Sequence, residues 1–128
     1  MPYNESRLKT EINNLPTNVC ADIRSDLEHG YVGLEGFGFP EGWEPRKARI
    51  VFDVPEEYPN KQPLVYLQEE MRYHDEKPEI MMNRGPDGWS RHCIHKLHDW
   101  NPNRHTLVTM LRMVHSSLKS PNSSNPLK

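Results

Sequence analysis

The chain is poor in the features that would commit it to several common kinds of protein. It holds two cysteines, Cys20 and Cys93, placed far apart. That is no basis for the multi-bridge framework of a small secreted domain, so both thiols are expected free, in a reducing cytoplasm. No apolar run is long enough to span a bilayer, and the opening Met1-Pro2-Tyr3-Asn4-Glu5-Ser6 is too polar for a signal peptide. Charge of one sign is also lacking. Sixteen Lys and Arg against eighteen Asp and Glu give a net charge of −2, which supplies no general drive toward nucleic acid or an anionic membrane. Hydrophobic residues are only 34% of the total, so the core should be modest and the surface well solvated. There is no internal repeat and no low-complexity block. The 128 residues suit a single domain, 1–128, large enough to bury a core without a covalent staple.

Proline is abundant. Twelve are present, and Pro40, Pro45, Pro55, Pro59, Pro63, Pro78 and Pro86 fall in the middle of the chain. Each removes a backbone donor and fixes φ, which forbids a helical bundle there. Helical spacing is confined to the two ends. Leu8, Ile12 and Leu15 make one apolar stripe, predicting a helix over 3–14 with Asn4 as its N-cap and Pro16 as its stop. Leu107, Leu111, Val114 and Leu118 predict a second over 104–119, stopped by Pro121. Between them the clearest strand is Lys47 to Val54, where Ala48, Ile50, Phe52 and Val54 alternate with their neighbours. Weaker strands are expected over Val19–Ile23, Tyr31–Leu34 and Leu64–Leu67. Residues 33–42 are glycine-rich and read as a loop. Residues 68–92 read as irregular, with turn signals at Arg84-Gly85-Pro86-Asp87-Gly88. The expected class is α+β: an N-terminal helix, a four-stranded antiparallel meander, a long irregular segment and a C-terminal helix, with the helices on one sheet. A structureless stretch of that length is usually functional.

That segment leads into Trp89-Ser90-Arg91-His92-Cys93-Ile94-His95-Lys96-Leu97-His98-Asp99-Trp100-Asn101-Pro102. A lone thiol among histidines can be a nucleophile, a metal ligand or a filler of core space. Cys93, His95 and His98, with His92 and His105 nearby, are ligands that zinc accepts, but there is no second local thiol and no Cys-x-x-Cys pair. A cysteine hydrolase would need an oriented histidine, and no hydrolase signature surrounds Cys93. Cys20 reads as a small core residue, and Trp100 as a brace for the turn beside Cys93.

The order of these pieces resembles a ubiquitin-conjugating enzyme. The strand Ile50-Val51-Phe52-Asp53-Val54-Pro55 runs into Tyr58-Pro59-Asn60-Lys61-Gln62-Pro63, similar to that family's Tyr-Pro-x-x-x-Pro turn. Cys93 and Trp100-Asn101-Pro102 match its active-site cysteine and Trp-x-Pro turn. Thr106-Leu107 opens the following helix, and Pro121-Asn122 with Asn125-Pro126-Leu127 resembles the stretch beyond it. The chain departs from the pattern as well. Met81-Met82-Asn83 stands where the family has His-Pro-Asn, and the stretch from Gly88 to Cys93 is longer. Asn60 replaces a phenylalanine used in ligase docking, and Ser124 and Asn125 replace acids near the cysteine. The chain also stops near where eukaryotic members continue with further helices. The resemblance is to a short, bacterial-type member, such as those in antiphage defence operons.

What the resemblance implies is transthioesterification. Cys93 would take a ubiquitin-like protein from an activating enzyme as a thioester and pass it to an amine on a target protein, with no cofactor of its own. A thiolate is needed, and nearby positive charge from Arg91, Lys96 and the histidines would favour it. Asn83 is the candidate donor to the tetrahedral oxyanion, a role that can contribute on the order of 3 kcal/mol. His95, or Asp87 or Asp99, is the candidate base for the amine. In an extended segment His95 would share a face with Cys93. Arg7, with Lys9 beside it, matches the family's basic docking position for the activating enzyme. A noncatalytic binding module of the same fold is the alternative, although such relatives lack the cysteine.

Overall fold

The computed structural model describes residues 5–16, 18, 20–58, 60–78, 81, 83–92 and 100–119. The two predicted helices are present as α1, Glu5–Asn13, and α2, Leu107–Leu118. Between them lie strands β1 (Asp22–Asp26), β2 (Tyr31–Gly38), β3 (Trp43–Glu44), β4 (Lys47–Asp53), β5 (Leu64–Gln68), β6 (Arg72–Tyr73), β7 (Asn83–Arg84) and β8 (Trp89–His92). The architecture is α+β with a mostly antiparallel sheet and two helices.

The alternation in β4 does what its spacing requires. Ala48, Ile50 and Phe52 are buried and their neighbours face outward. The strand pairs β2 on one side, with Leu34 opposite Ile50 and Val32 opposite Phe52, and β5 on the other, with Leu67 opposite Ile50. A bulge between Leu34 and Phe37 keeps both residues on the buried face despite their odd spacing. The same face takes Leu8 and Leu15 from the N-terminal side, and Leu107, Met110, Val114 and Leu118 from α2, into one core. Trp43 closes one end of that core, its indole N–H donating to the Leu118 carbonyl at 2.8 Å.

Four expectations are corrected. Residues 33–38, expected to belong to a loop, continue β2 to Gly38, because their backbone pairs with β4. Among the described residues the main sheet has six strands, ordered β1-β2-β4-β5-β8-β7, rather than four. The stretch 68–92 is not irregular throughout, because it supplies β7 and β8 to that sheet and β6 to a small hairpin with β3. The first strand runs Asp22–Asp26, later than Val19–Ile23, and lies at the sheet edge. Its Asp22, Arg24 and Asp26 hide the apolar pattern that a reader looks for, and charges of this kind keep an exposed edge from pairing with other chains. Among the described residues no helix is long and apolar enough to cross a membrane.

Candidate functional site

Cys93 and His95 lie outside the described residues, as do His98 and Asp99. What the structure describes is how the chain is held immediately before and immediately after them.

Upstream, β5 forms the platform. Tyr66 pairs with Arg91 and Val65 with His92, so β8 runs straight toward position 93 along a central strand. The predicted turn then does the main work. Trp89 N–H donates to the Pro86 carbonyl at 2.9 Å, with Gly88 at φ 86, and β7 folds back onto β8. A Cβ at Gly85 would sit tightly, 3.0 Å from the Trp89 carbonyl and 3.1 Å from the Tyr66 ring. The hairpin places the Asn83 backbone opposite Arg91, two residues before Cys93. Trp89–His92 of the longer Gly88–Cys93 stretch is thus taken up as strand, and the Asn83 backbone is brought back beside the end of β8.

His92, the last described residue before Cys93, points into the core and is 3% exposed. Its Nε2 lies 2.6 Å from Ser117 Oγ on α2. Ser117 gives its one hydroxyl hydrogen to the Val114 carbonyl at 2.8 Å, so the imidazole must be the donor, protonated on Nε2. Nδ1 is then a buried acceptor, and it has no hydrogen-bond partner among the described residues. Burial pushes the imidazole pKa down to about 4. His92 is therefore neutral at pH 7 and supplies no positive charge to the thiol, contrary to the expectation for the three histidines.

Downstream, the chain resumes at Trp100 in a tightly bonded turn. Asn101 N–H donates to His105 Nδ1 at 2.9 Å, the Asn101 carbonyl accepts from His105 N–H at 2.8 Å, and Asn101 Oδ1 accepts from Asn103 N–H at 2.9 Å. Trp100 packs against His105, ring centroids 5.3 Å apart, and against Tyr58, at 6.1 Å. Tyr58 and Trp100, from motifs read separately in the sequence, are thus neighbours. His105 is a clamp for the turn. Its Nδ1 and His92 Nε2 are both committed to protein partners, which leaves less of the imagined zinc ligand set.

The residue that ties this region together escaped the sequence reading. Glu11 is 6% exposed and sits beneath the turn. One carboxylate oxygen accepts from the Tyr58 hydroxyl and from Leu107 N–H at 2.9 Å; the other accepts from Arg7 Nε at 2.6 Å. Glu11 thereby caps α2 from another helix, where a negative charge also suits the helix dipole. Arg7 reaches onward to the Pro102 and His105 carbonyls at 3.5 and 3.4 Å, and its guanidinium stands 5.8 Å from the centre of the Tyr58 ring. Burial, then the Glu11 carboxylate, raises the Tyr58 pKa and keeps the phenol protonated. A signal for Glu11 was present: it falls between Leu8 and Ile12 on the apolar stripe of α1, four residues after Arg7. An acid on a buried helical face needs partners.

Of the two residues matched to a docking position, Arg7 faces inward to the turn, and Lys9 is exposed on α1. Cys20 packs partly against the core, and burial raises its pKa. The one cluster with metal-ligand spacing among the described residues, Asp26, Glu28 and His29, is fully exposed, and Asp26 already holds His29 Nδ1 at 2.8 Å. Neither protein-family models, nor curated proteins, nor solved structures give a match to this chain.

Proposed function

We propose that the protein is a conjugating enzyme of the ubiquitin-conjugating type, in which Cys93 carries a ubiquitin-like protein as a thioester. The Cys93 thiolate attacks the carbonyl carbon of the thioester held by an activating enzyme. The tetrahedral oxyanion collapses, the activating enzyme's thiolate leaves, and the acyl group now rests on Cys93. An amine on a target protein then attacks the same carbonyl, loses a proton to His95, and Cys93 departs as thiolate. ATP is consumed by the partner, so this chain needs no cofactor. Cytoplasmic work within an antiphage defence system fits the divergent motifs of the sequence.

The observation that carries the reading is the pairing of Asn83 with Arg91, two residues before Cys93. An oxyanion donor has to be held rigidly near the nucleophile. A residue ten positions away in sequence meets that demand when a hairpin returns it to the same strand end. The bonded Trp100-Asn101-Pro102 turn, resting on Tyr58 and Glu11, fixes the chain on the other side.

The test is a charging assay with ATP, a candidate activating enzyme and a candidate ubiquitin-like protein. Wild type should form an adduct that thiol removes, Cys93→Ala should form none, and Cys93→Ser should form an ester that survives thiol. Asn83→Ala should still charge but transfer to amine roughly 100-fold more slowly. A chain that never charges with any candidate activating enzyme would sink the reading and leave the noncatalytic binding module.

A further inference from the structure

The outer face of the sheet, turned away from both helices, carries a trough of about 380 Å³ that has no part in the proposed chemistry. Its floor follows from strand register. Arg24 lies opposite Gly33, Gly33 opposite Val51, and Val51 opposite Tyr66, one row across β1, β2, β4 and β5. Gly33 is the low point of that row, since every neighbour carries a side chain. The walls are Tyr31, Tyr66 and Trp89, with Pro86 beside them. Tyr31 is the one large hydrophobic residue exposed among those described, at 44%.

The charges and hydrogen bonds restrict what can lie there. Four charged side chains line the trough, and each is already matched: Arg24 with Asp22 at 3.3 Å, Arg49 with Glu35 at 2.7 Å, and Asp26 with His29 at 2.8 Å. A wall whose charges cancel in pairs offers no advantage to a polyanion or a polycation and suits an uncharged occupant. The aromatic walls are different. No protein group among the described residues takes the Tyr31 or Tyr66 hydroxyl hydrogen or the Trp89 indole hydrogen. Backbone acceptors of the floor are meanwhile spent on the sheet ladder. The trough therefore presents flat apolar faces and spare donors, and few spare acceptors.

We infer that this trough binds a neutral proline-rich peptide in the polyproline II conformation. Such a segment has no hydrogen bonds of its own, so its carbonyls are free acceptors, and its prolines bring no N–H that the trough would have to satisfy. Its rings pack on tyrosine and tryptophan faces, which is how aromatic-lined grooves read proline-rich ligands. The inference is independent of Cys93 and stands or falls without the conjugation reading.

The experiment is an amide NMR titration of the full chain with acetylated, amidated decaproline, with a glycine-serine peptide of equal length as the control. Decaproline should give saturable shifts centred on Tyr31, Gly33, Tyr66 and Trp89, with a dissociation constant below about 1 mM. Gly33→Leu should weaken it at least about tenfold by filling the floor. That substitution suits the fold, because a Cβ at Gly33 would meet only the Arg24 carbonyl at 3.8 Å and Glu35 Oε1 at 3.9 Å, both ordinary contacts. Unchanged amide dispersion checks this. Tyr66→Phe keeps the ring and removes one donor, and should weaken binding severalfold. No saturable shift with wild type, equal shifts with the glycine-serine peptide, shifts centred elsewhere, or full affinity in a folded Gly33→Leu would each overturn the inference.

Discussion

Two buried polar anchors hold the chain on either side of Cys93, and they are built on opposite principles. After the cysteine, Glu11 is charged and its two oxygens accept from three donors on three parts of the chain. Before it, His92 is neutral, makes one hydrogen bond to Ser117 and leaves Nδ1 unmet among the described residues. A buried charge is tolerable only when its partners are complete, and then losing it is expensive. A buried neutral group can be left half satisfied at a smaller cost, but it resists becoming charged. The downstream anchor should therefore be sensitive to mutation, and the upstream one to pH.

The largest effect should come from Glu11→Ala. It strands the Tyr58 hydroxyl, Arg7 and the first N–H of α2 together, and should cost roughly 3–5 kcal/mol in urea denaturation. Glu11→Gln keeps the shape and one acceptor oxygen and should cost less, roughly 1–2 kcal/mol. Equal losses for both would mean that the charge, not the hydrogen bonding, is what matters there.

The next effect is a titration. The pKa of His92 falls from 6.5 to about 4 on folding. Between those values the unfolded chain binds more protons than the folded one, so stability falls as pH drops through 6.5 and stops falling, as far as this group is concerned, near 4. The full contribution is about 3 kcal/mol. Denaturation midpoints measured from pH 7 to pH 4 should show it, and His92→Gln should flatten that part of the curve. A curve identical in the two proteins would place the acid sensitivity elsewhere.

The smallest effect separates the two halves of the upstream anchor. Ser117→Ala removes the acceptor for His92 Nε2–H and should cost roughly 1–2 kcal/mol at pH 7. Its pH dependence should follow wild type, since burial rather than Ser117 lowers the His92 pKa.

Much of the scaffold could be read from the residues. The stripe Leu107, Leu111, Val114, Leu118 and the alternation through Ile50 and Phe52 are strong periodic signals, and both elements formed where they pointed. Strands β7 and β8 could not be read that way. They are two and four residues long, with Asn83, Arg84, Ser90 and Arg91 among them, and they exist because a neighbouring strand pairs with them rather than through local preference. The site divides similarly. The chemistry of Trp100-Asn101-Pro102 and Tyr58 drew notice in the sequence, but their contact is made in three dimensions only. Glu11 went unnoticed because its partners lie in distant parts of the chain, while Cys93 and His95 lie outside the described residues.

The hydrogen bond from Leu107 to Glu11 joins residues 96 apart, so α1, made well before α2 during synthesis, caps it. Until residue 107 has left the ribosome, the Glu11 carboxylate lacks the backbone donor it was placed for, and the apolar face of α1 has only part of its core. Contacts of such long range slow folding, because the loop must close before they form. Assembly should therefore wait for α2, and fragments ending before it should fail to hold the turn that follows the cysteine.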